Sequence, residues 1–389
     1  MRSDMGYSQI KVGDTCELVN GCAYKSKDFT ESGVPVIKIA NVKPGKIVKD
    51  KIQYVPEQLA NEHKKQLVQY GDILLTMTGN RINGTPDSWV GKAAIFKENN
   101  KYTLNQRVCA LRADSSIIEP YFLGYVLSSW ESQLYFIKRS TSSGGQANIS
   151  PDTIKNYCIP YPARDIQKKI VRILSALDQK IELNNRLISS LYSLGDAFYE
   201  KIQSGNSKTV TLKDVSINYD KKRIPLSSRQ REERRGEFPY YGATSILDYV
   251  DDYLFDGEYI LLGEDGTVMT DKGGAVLQYI WGKNWVNNHA HVLQGSEVST
   301  EYLLFALRSV NVSALVTGAV QPKINQENMN KIKLSIGSEN KMAKVEESIK
   351  TRAAQIRNLT DENKSLLSMR DTLLPKLMSG EINLDKVTI

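Results

Sequence analysis

The chain repeats itself. Written one over the other, QANISPDTI (146–154) and QPKINQENM (321–329) place Gln146 over Gln321, Ile149 over Ile324 and Ile154 over Met329, an offset of 175. The offset holds without a gap through Ile170 over Val345, Ile181 over Ile356 and Leu191 over Leu366, as far as Ser204-Gly205 over Ser379-Gly380. Upstream the match loosens but keeps its order. YGDILLT (70–76) answers DGEYILL (256–262), GKAAIF (91–96) answers GGAVLQ (273–278), and NQRVCAL (105–111) answers NNHAHVL (287–293). GVPVIKIAN (33–41) answers EFPYYGATS (237–245), with Pro35 over Pro239. A repeat on this scale restricts the fold to two copies of one unit, each a variable globular part followed by a long uniform segment.

The uniform segment reads as a helix. Apolar residues recur at Ile170, Leu174, Leu177, Ile181, Ile188, Leu191, Leu194, Phe198 and Ile202, in steps of mostly three and four. That is the seam of a coiled coil. The second copy carries Val345, Ile349, Ile356, Leu359, Leu366, Met369 and Leu373. Asp165 and Ser338 are the expected N-caps, and Gly205 the stop of the first helix. A helix of roughly 38 residues is about 57 Å long, too long for one small domain, so the two seams are expected to pack on each other antiparallel. The interface then comprises Ile170, Leu177, Ile181, Leu191, Phe198, Val345, Ile356, Leu359, Leu366 and Leu373. Asn184, a polar residue on that seam, is expected to fix register.

The variable parts mix short strands with one helix each. DILLTM, AAIFKE and YTLNQRVCALRA, and the matching YILLGE, AVLQYIW and AHVLQG, read as strands. Residues 119–138 and 300–315 read as the helix of each unit. The expected fold class is α+β: two pseudo-twofold-related domains (1–163 and 206–337), two long helices (164–205 and 338–380) between them, and a tail (381–389).

Composition excludes more than it selects. A net charge of +7 over 389 residues permits a polyanionic partner without requiring one. Cys16, Cys22, Cys109 and Cys158 form no C-x-x-C pair, so zinc spacing is absent and buried thiols in a reducing compartment are expected. No run approaches a membrane span and the N-terminus has no apolar signal core, so a soluble, cytoplasmic protein is expected. There is no phosphate-binding G-x-x-x-x-G-K-[ST], no G-x-G-x-x-G after a strand and no N-P-P-[YF] or D-P-P-Y. His289 and His291 on one strand face are compatible with a metal, but RVC at the matching place is not, so a packed face is the plainer reading. Glu264 and Asp265 suit acid–base work, but their counterparts near TMTGNR are not acidic, so a turn is the plainer reading and contact with a DNA base the next. No nucleophile–base pair recurs in both copies, and no catalytic residue is assigned.

With the duplication established, the chain resembles the specificity (S) subunit of type I restriction-modification systems. The resemblance covers essentially the whole chain. It rests on FPYYGATSILDYVDDYLFDG with YILLGEDGTV, on WVNNHAHVL, and on GGQANISPDTIKNYCIPYP running into IQKKIVRILSALDQKIELNN. It implies two target-recognition domains that each read half of a bipartite site in double-stranded DNA. It also implies antiparallel helices that set the spacer and dock two methyltransferase subunits. S-adenosylmethionine would then sit on those partners, and ATP and Mg on motor-nuclease subunits, which join some such complexes; this chain would bind no cofactor itself. The family pattern of Pro-Pro and Gln before each helix is kept as Pro162 and Gln167, but with Ala163; SIGSENKM in the second copy has neither. A helical adaptor without a DNA role, and the recognition half of a split restriction-methylase, are the competing readings.

Under that resemblance the DNA-facing candidates are Thr78, Asn80, Arg81 and Asn83 in a Gly/Asn-rich loop, where Arg suits guanine and Asn adenine. Gln146, Gln321 and Lys323, at matching places, suit a phosphate, a base or a mere connection to the helix. Arg223, Arg229 and Arg231 lie in a basic stretch suited to phosphates. Tyr240, Tyr241 and Thr244, in a stiff aromatic turn set by Pro239 with Gly242-Ala243 open to a partner, would offer hydroxyls. For each the plain alternative is a solvated loop or, for the tyrosines, the core.

Overall fold

A computed structural model describes residues 7–81, 88–143, 145–203, 207–318, 320–337 and 339–384; the side chains of 143, 202 and 339–344 are also outside the description. Asn83, the stop at Gly205 and the cap at Ser338 lie outside the described residues. The chain forms two compact units, residues 1–180 with 365–389 and residues 181–364.

The first unit is built on a four-stranded antiparallel sheet. Its order is Cys16–Asn20, Val108–Ala113, Ile73–Thr76, Ala93–Ile95. Side chains alternate across a sheet with period two, and both faces here are covered. Ile73, Leu75, Cys109 and Leu111 pack with Phe122, Phe136, Ile170 and Leu174. Leu74, Val108 and Ala110 pack with Ile37, Phe96 and Tyr102. The single helix expected over 119–138 is two, Pro120–Leu127 and Trp130–Arg139. Ser129 breaks it: its backbone is extended and its side chain caps the second helix by accepting from the Ser132 amide.

The second unit repeats this framework within a six-stranded sheet. The order is Ser216–Asn218, Ala290–Gly295, Phe255–Gly263, Leu277–Val286, Arg235–Tyr241, Ile246–Val250. The first four strands correspond in order to the four of the first unit. Ile260, Leu262 and Leu293 face the helix Thr300–Arg308, which stops short of the expected 315. FPYY is not a turn but the end of the strand Arg235–Tyr241. It pairs antiparallel with Ile246–Val250 and, at Tyr240 and Tyr241, parallel with Leu277–Val286. The turn is Gly242–Ser245, and Leu247 lies against Gly242, so Gly242 faces its own chain.

The long helices span Arg164–Gln203 and Glu339–Ser379, 40 and 41 residues, and keep the offset of 175 at their starts. The first begins two residues before the start that a cap at Asp165 implies, so Asp165 is a first-turn acid rather than the cap. Its entry is pinned by Gln167, which accepts from the Glu119 amide and donates to the Pro162 carbonyl. Within each unit the two helices run antiparallel. In the first, Lys169 reaches the Leu384 carbonyl and Asp178 pairs with Arg370. In the second, Asn184 bonds Asn363 and Phe198 lies under Arg352.

Ile170, Leu191 and Ile356 are buried in this packing. Leu177, Ile181, Phe198, Val345, Leu359, Leu366 and Leu373 are half-buried. Leu194, expected on the seam, is exposed. Beyond Leu191 the helix also packs on Thr300–Arg308, through Tyr192, Gly195 and Tyr199. A Cβ at Gly195 would fall 2.2 Å from the Phe305 ring.

Candidate nucleic-acid interface

Where the strand Ile73–Thr76 ends, the chain makes a second, smaller pairing. Thr78–Gly79 joins Gln146–Asn148, which joins Thr141–Ser143 in a hairpin. Thr78 is buried and its hydroxyl donates to Asn148 Oδ1 at 2.7 Å, so it builds this element and is not available to DNA. Ile149 N donates to the Met77 carbonyl and fixes the hairpin base. Asn80 is exposed, with one amide hydrogen bond to Ser88 Oγ. Arg81 is exposed but tethered, donating to the Ser140 carbonyl and hydroxyl. Gln146 is exposed at the hairpin.

The second unit has the same element as isolated bridges. Thr317 and Asp265 both pair with Lys323, as Thr141 and Thr78 both pair with Asn148. Ile324 N donates to the Glu264 carbonyl, as Ile149 N does to Met77. Lys323 is half exposed and pairs with Glu264 at 3.3 Å; Gln321 is exposed.

Behind this element lies an ionic cluster with no counterpart among the described residues of the first unit, where Cys109 takes the place of His291. Arg223 bridges Asp220 at 3.3 Å and Glu264 at 2.8 Å and donates to the Ala290 carbonyl. His291 is buried, with Nδ1 at 2.6 Å from Asp220 and Nε2 at 2.8 Å from the Ile324 carbonyl. Burial alone would raise the Asp220 carboxyl, but hydrogen bonding and charge from His291, with bonds from Asn218 and the Val292 amide, hold it below its ordinary value. Asp220, Glu264 and His291 lie close enough together to ligate a metal, but the Arg223 guanidinium already bonds both carboxylates. Arg223 is therefore an internal ion-pair partner, not a phosphate contact.

Two more expected contacts turn inward. Arg231 pairs with Asp248 at 3.2 Å, donates to the Leu226 carbonyl and lies over the Tyr240 ring. Tyr240 is 1% exposed and its hydroxyl is held by the Leu226 backbone. Neither reaches a partner, because the short helix Ser228–Glu233 folds back onto the strand pair. Tyr241 is half-buried, and burial pushes its hydroxyl up to about 12. Arg229 and Thr244 remain exposed, Arg229 beside Glu233 at 3.0 Å.

Two more residues stand at this surface: Arg107, which sequence reasoning passed over, and His289, which it placed on a packed strand face. Arg107 is exposed, makes no ion pair among the described residues, and its carbonyl accepts from the Met77 amide. His289 is half exposed with Nδ1 at 2.5 Å from Asp265, and its carbonyl accepts from the Glu264 amide. They occupy the same place in the two copies, as the alignment of NQRVCAL with NNHAHVL already indicated.

A family model described as the type I restriction modification DNA specificity domain matches residues 5–192 and again 205–344. A Haemophilus influenzae protein named as a type I restriction enzyme specificity subunit is 32% identical over 141 residues, 36% of each chain. The MjaVIII specificity subunit of Methanocaldococcus jannaschii is 29% identical over 181 residues, 46% of this chain and 40% of the relative. The chain thus spans about two fifths of the length of these curated relatives. A type I restriction-modification S subunit from M. genitalium has a similar fold, with a TM-score of 0.56 over 97% of both chains at 17% identity.

Proposed function

The chain belongs to the type I restriction-modification DNA specificity family, and from that premise we propose that it is the DNA-reading, non-catalytic subunit of such a complex. Each unit reads one half of a bipartite site. The paired helices set the spacer and dock two methyltransferase subunits, which bring S-adenosylmethionine; motor-nuclease subunits with ATP and Mg complete a restricting assembly.

The observation that carries this reading is one framework bearing different chemistry at equivalent places. Met77, Thr78 and Arg107 stand in the first unit where Glu264, Asp265 and His289 stand in the second. Side chains with different donors and acceptors select different bases, while a common framework presents them to the duplex alike. Methylation mapping of host DNA with and without the gene tests the proposal. It requires a two-part motif whose methylation disappears with the gene; an unchanged methylome would refute it.

A further inference from the structure

The hairpin recurs in both copies, as paired strands in the first and as isolated bridges in the second. Gln146 and Gln321 occupy the same place on it, at the offset of 175. Both are exposed, and neither side-chain amide has a partner among the described residues. The backbone beside them bends through left-handed glycines, Gly145 at φ 79° and Gly318 at φ 88°. A Cβ at Gly318 would meet the Gln321 carbonyl at 2.3 Å, so that position takes only glycine. Each hairpin is fixed at its base, through Ile149 to Met77 and Ile324 to Glu264.

What the tips share narrows what they touch. An apolar side chain is not shared: Val320 is 99% exposed, and its counterpart is Gly145. A protein interface common to both copies would keep such an anchor in both. The shared feature is an exposed, free amide at one place on the hairpin, which suits a phosphate oxygen. A contact retained in both copies, while the base-facing residues differ, serves what the two half-sites have in common.

We propose that Gln146 and Gln321 are equivalent, sequence-independent contacts to the DNA sugar–phosphate backbone, each donating its amide to a phosphate and fixing the register of its unit on the half-site. The assignment rests on the DNA-reading function proposed above and deepens it.

The test uses the full chain in complex with its methyltransferase partner, the site-containing duplex, and two duplexes with one half-site scrambled. If the unaltered complex binds all three equally, the DNA-specificity reading fails, whatever the variants do. If it prefers the intact site, Q146A and Q321A are each expected to weaken binding to all three by one common factor, about three- to ten-fold. The methylated motif stays the same, and the salt slope stays the same because glutamine is neutral. Q146K and Q321K keep a donor and add a charge, so binding is retained and the slope of log K against log salt steepens by about 0.9 each. Melting temperature and partner co-purification are expected to match the unaltered chain. A factor that differs between duplexes, or an altered motif, would make these glutamines base readers and overturn the proposal. So would unchanged affinity, or lost affinity that tracks a lost methyltransferase subunit.

Discussion

Arg223 illustrates how little residue type says about a basic segment. Its guanidinium lies between two carboxylates, and the three side chains are 9–15% exposed. Removing one partner of a buried pair leaves an uncompensated charge and costs roughly 3–5 kcal/mol. R223A is therefore expected to lower the unfolding free energy of the second unit by about that much, as measured by chemical denaturation. R229A, at an exposed i,i+4 pair, is expected to stay within about 0.5 kcal/mol. The depressed Asp220 carboxyl gives a second prediction. A carboxyl held low in the fold contributes stability that is complete above its unfolded value and is lost as pH falls through the folded one. Denaturation midpoints are thus expected to fall below about pH 4, and less steeply in D220N, which cannot titrate. Sequence showed the basic run but not that Asp248 would take up Arg231, or Glu264 Arg223, because those acids arrive from distant strands. Arg107 and His289 were legible only through the repeat, which puts them in one place although their types differ.

The elements carry their own evidence. Steps of three and four located both long helices, because a straight seam of aliphatic side chains imprints its period on the chain. The seam became illegible where the first helix takes a second partner. There the packed positions shift to Tyr192, half-buried, and to the buried Gly195 and Tyr199, and Leu194 turns to solvent. L174A, at a fully buried position, is expected to cost about 2–5 kcal/mol. L183A, 60% exposed on the same helix, is expected to change stability by less than about 0.5 kcal/mol. Equal losses in paired denaturation curves would mean that the exposed face is packed in solution. The strand order was less legible than the helices, since FPYY reads as a turn from its proline and glycine, while the sheet recruits it through its pairing with Trp285 and Val286.

At the scale of the whole molecule the proposed division of labour is testable residue by residue. R107A is expected to alter or relax one half of the methylated motif and leave the other half and the spacer intact, as read by methylome sequencing. A change confined to the opposite half from that altered by H289A would show that each unit owns one half-site. A change in both halves from R107A alone would break the assignment.

The first unit is not continuous in the chain: Leu377, Met378 and Leu384 share a core with Ile170 and Leu174. On the ribosome this reverses the usual order of events. The N-terminal sheet emerges first, yet one face of its helical wall has no cover until residues 365–384 have been made. The second unit, residues 181–364, is uninterrupted and can close before the first. At about 5–20 residues per second, the first unit waits roughly 10–40 s with Ile170 and Leu174 covered only on their sheet side. During that interval a nascent chain of this design is a client for a chaperone, and a premature stop in the last helix after residue 364 leaves the earliest-made domain, rather than the latest, unfinished.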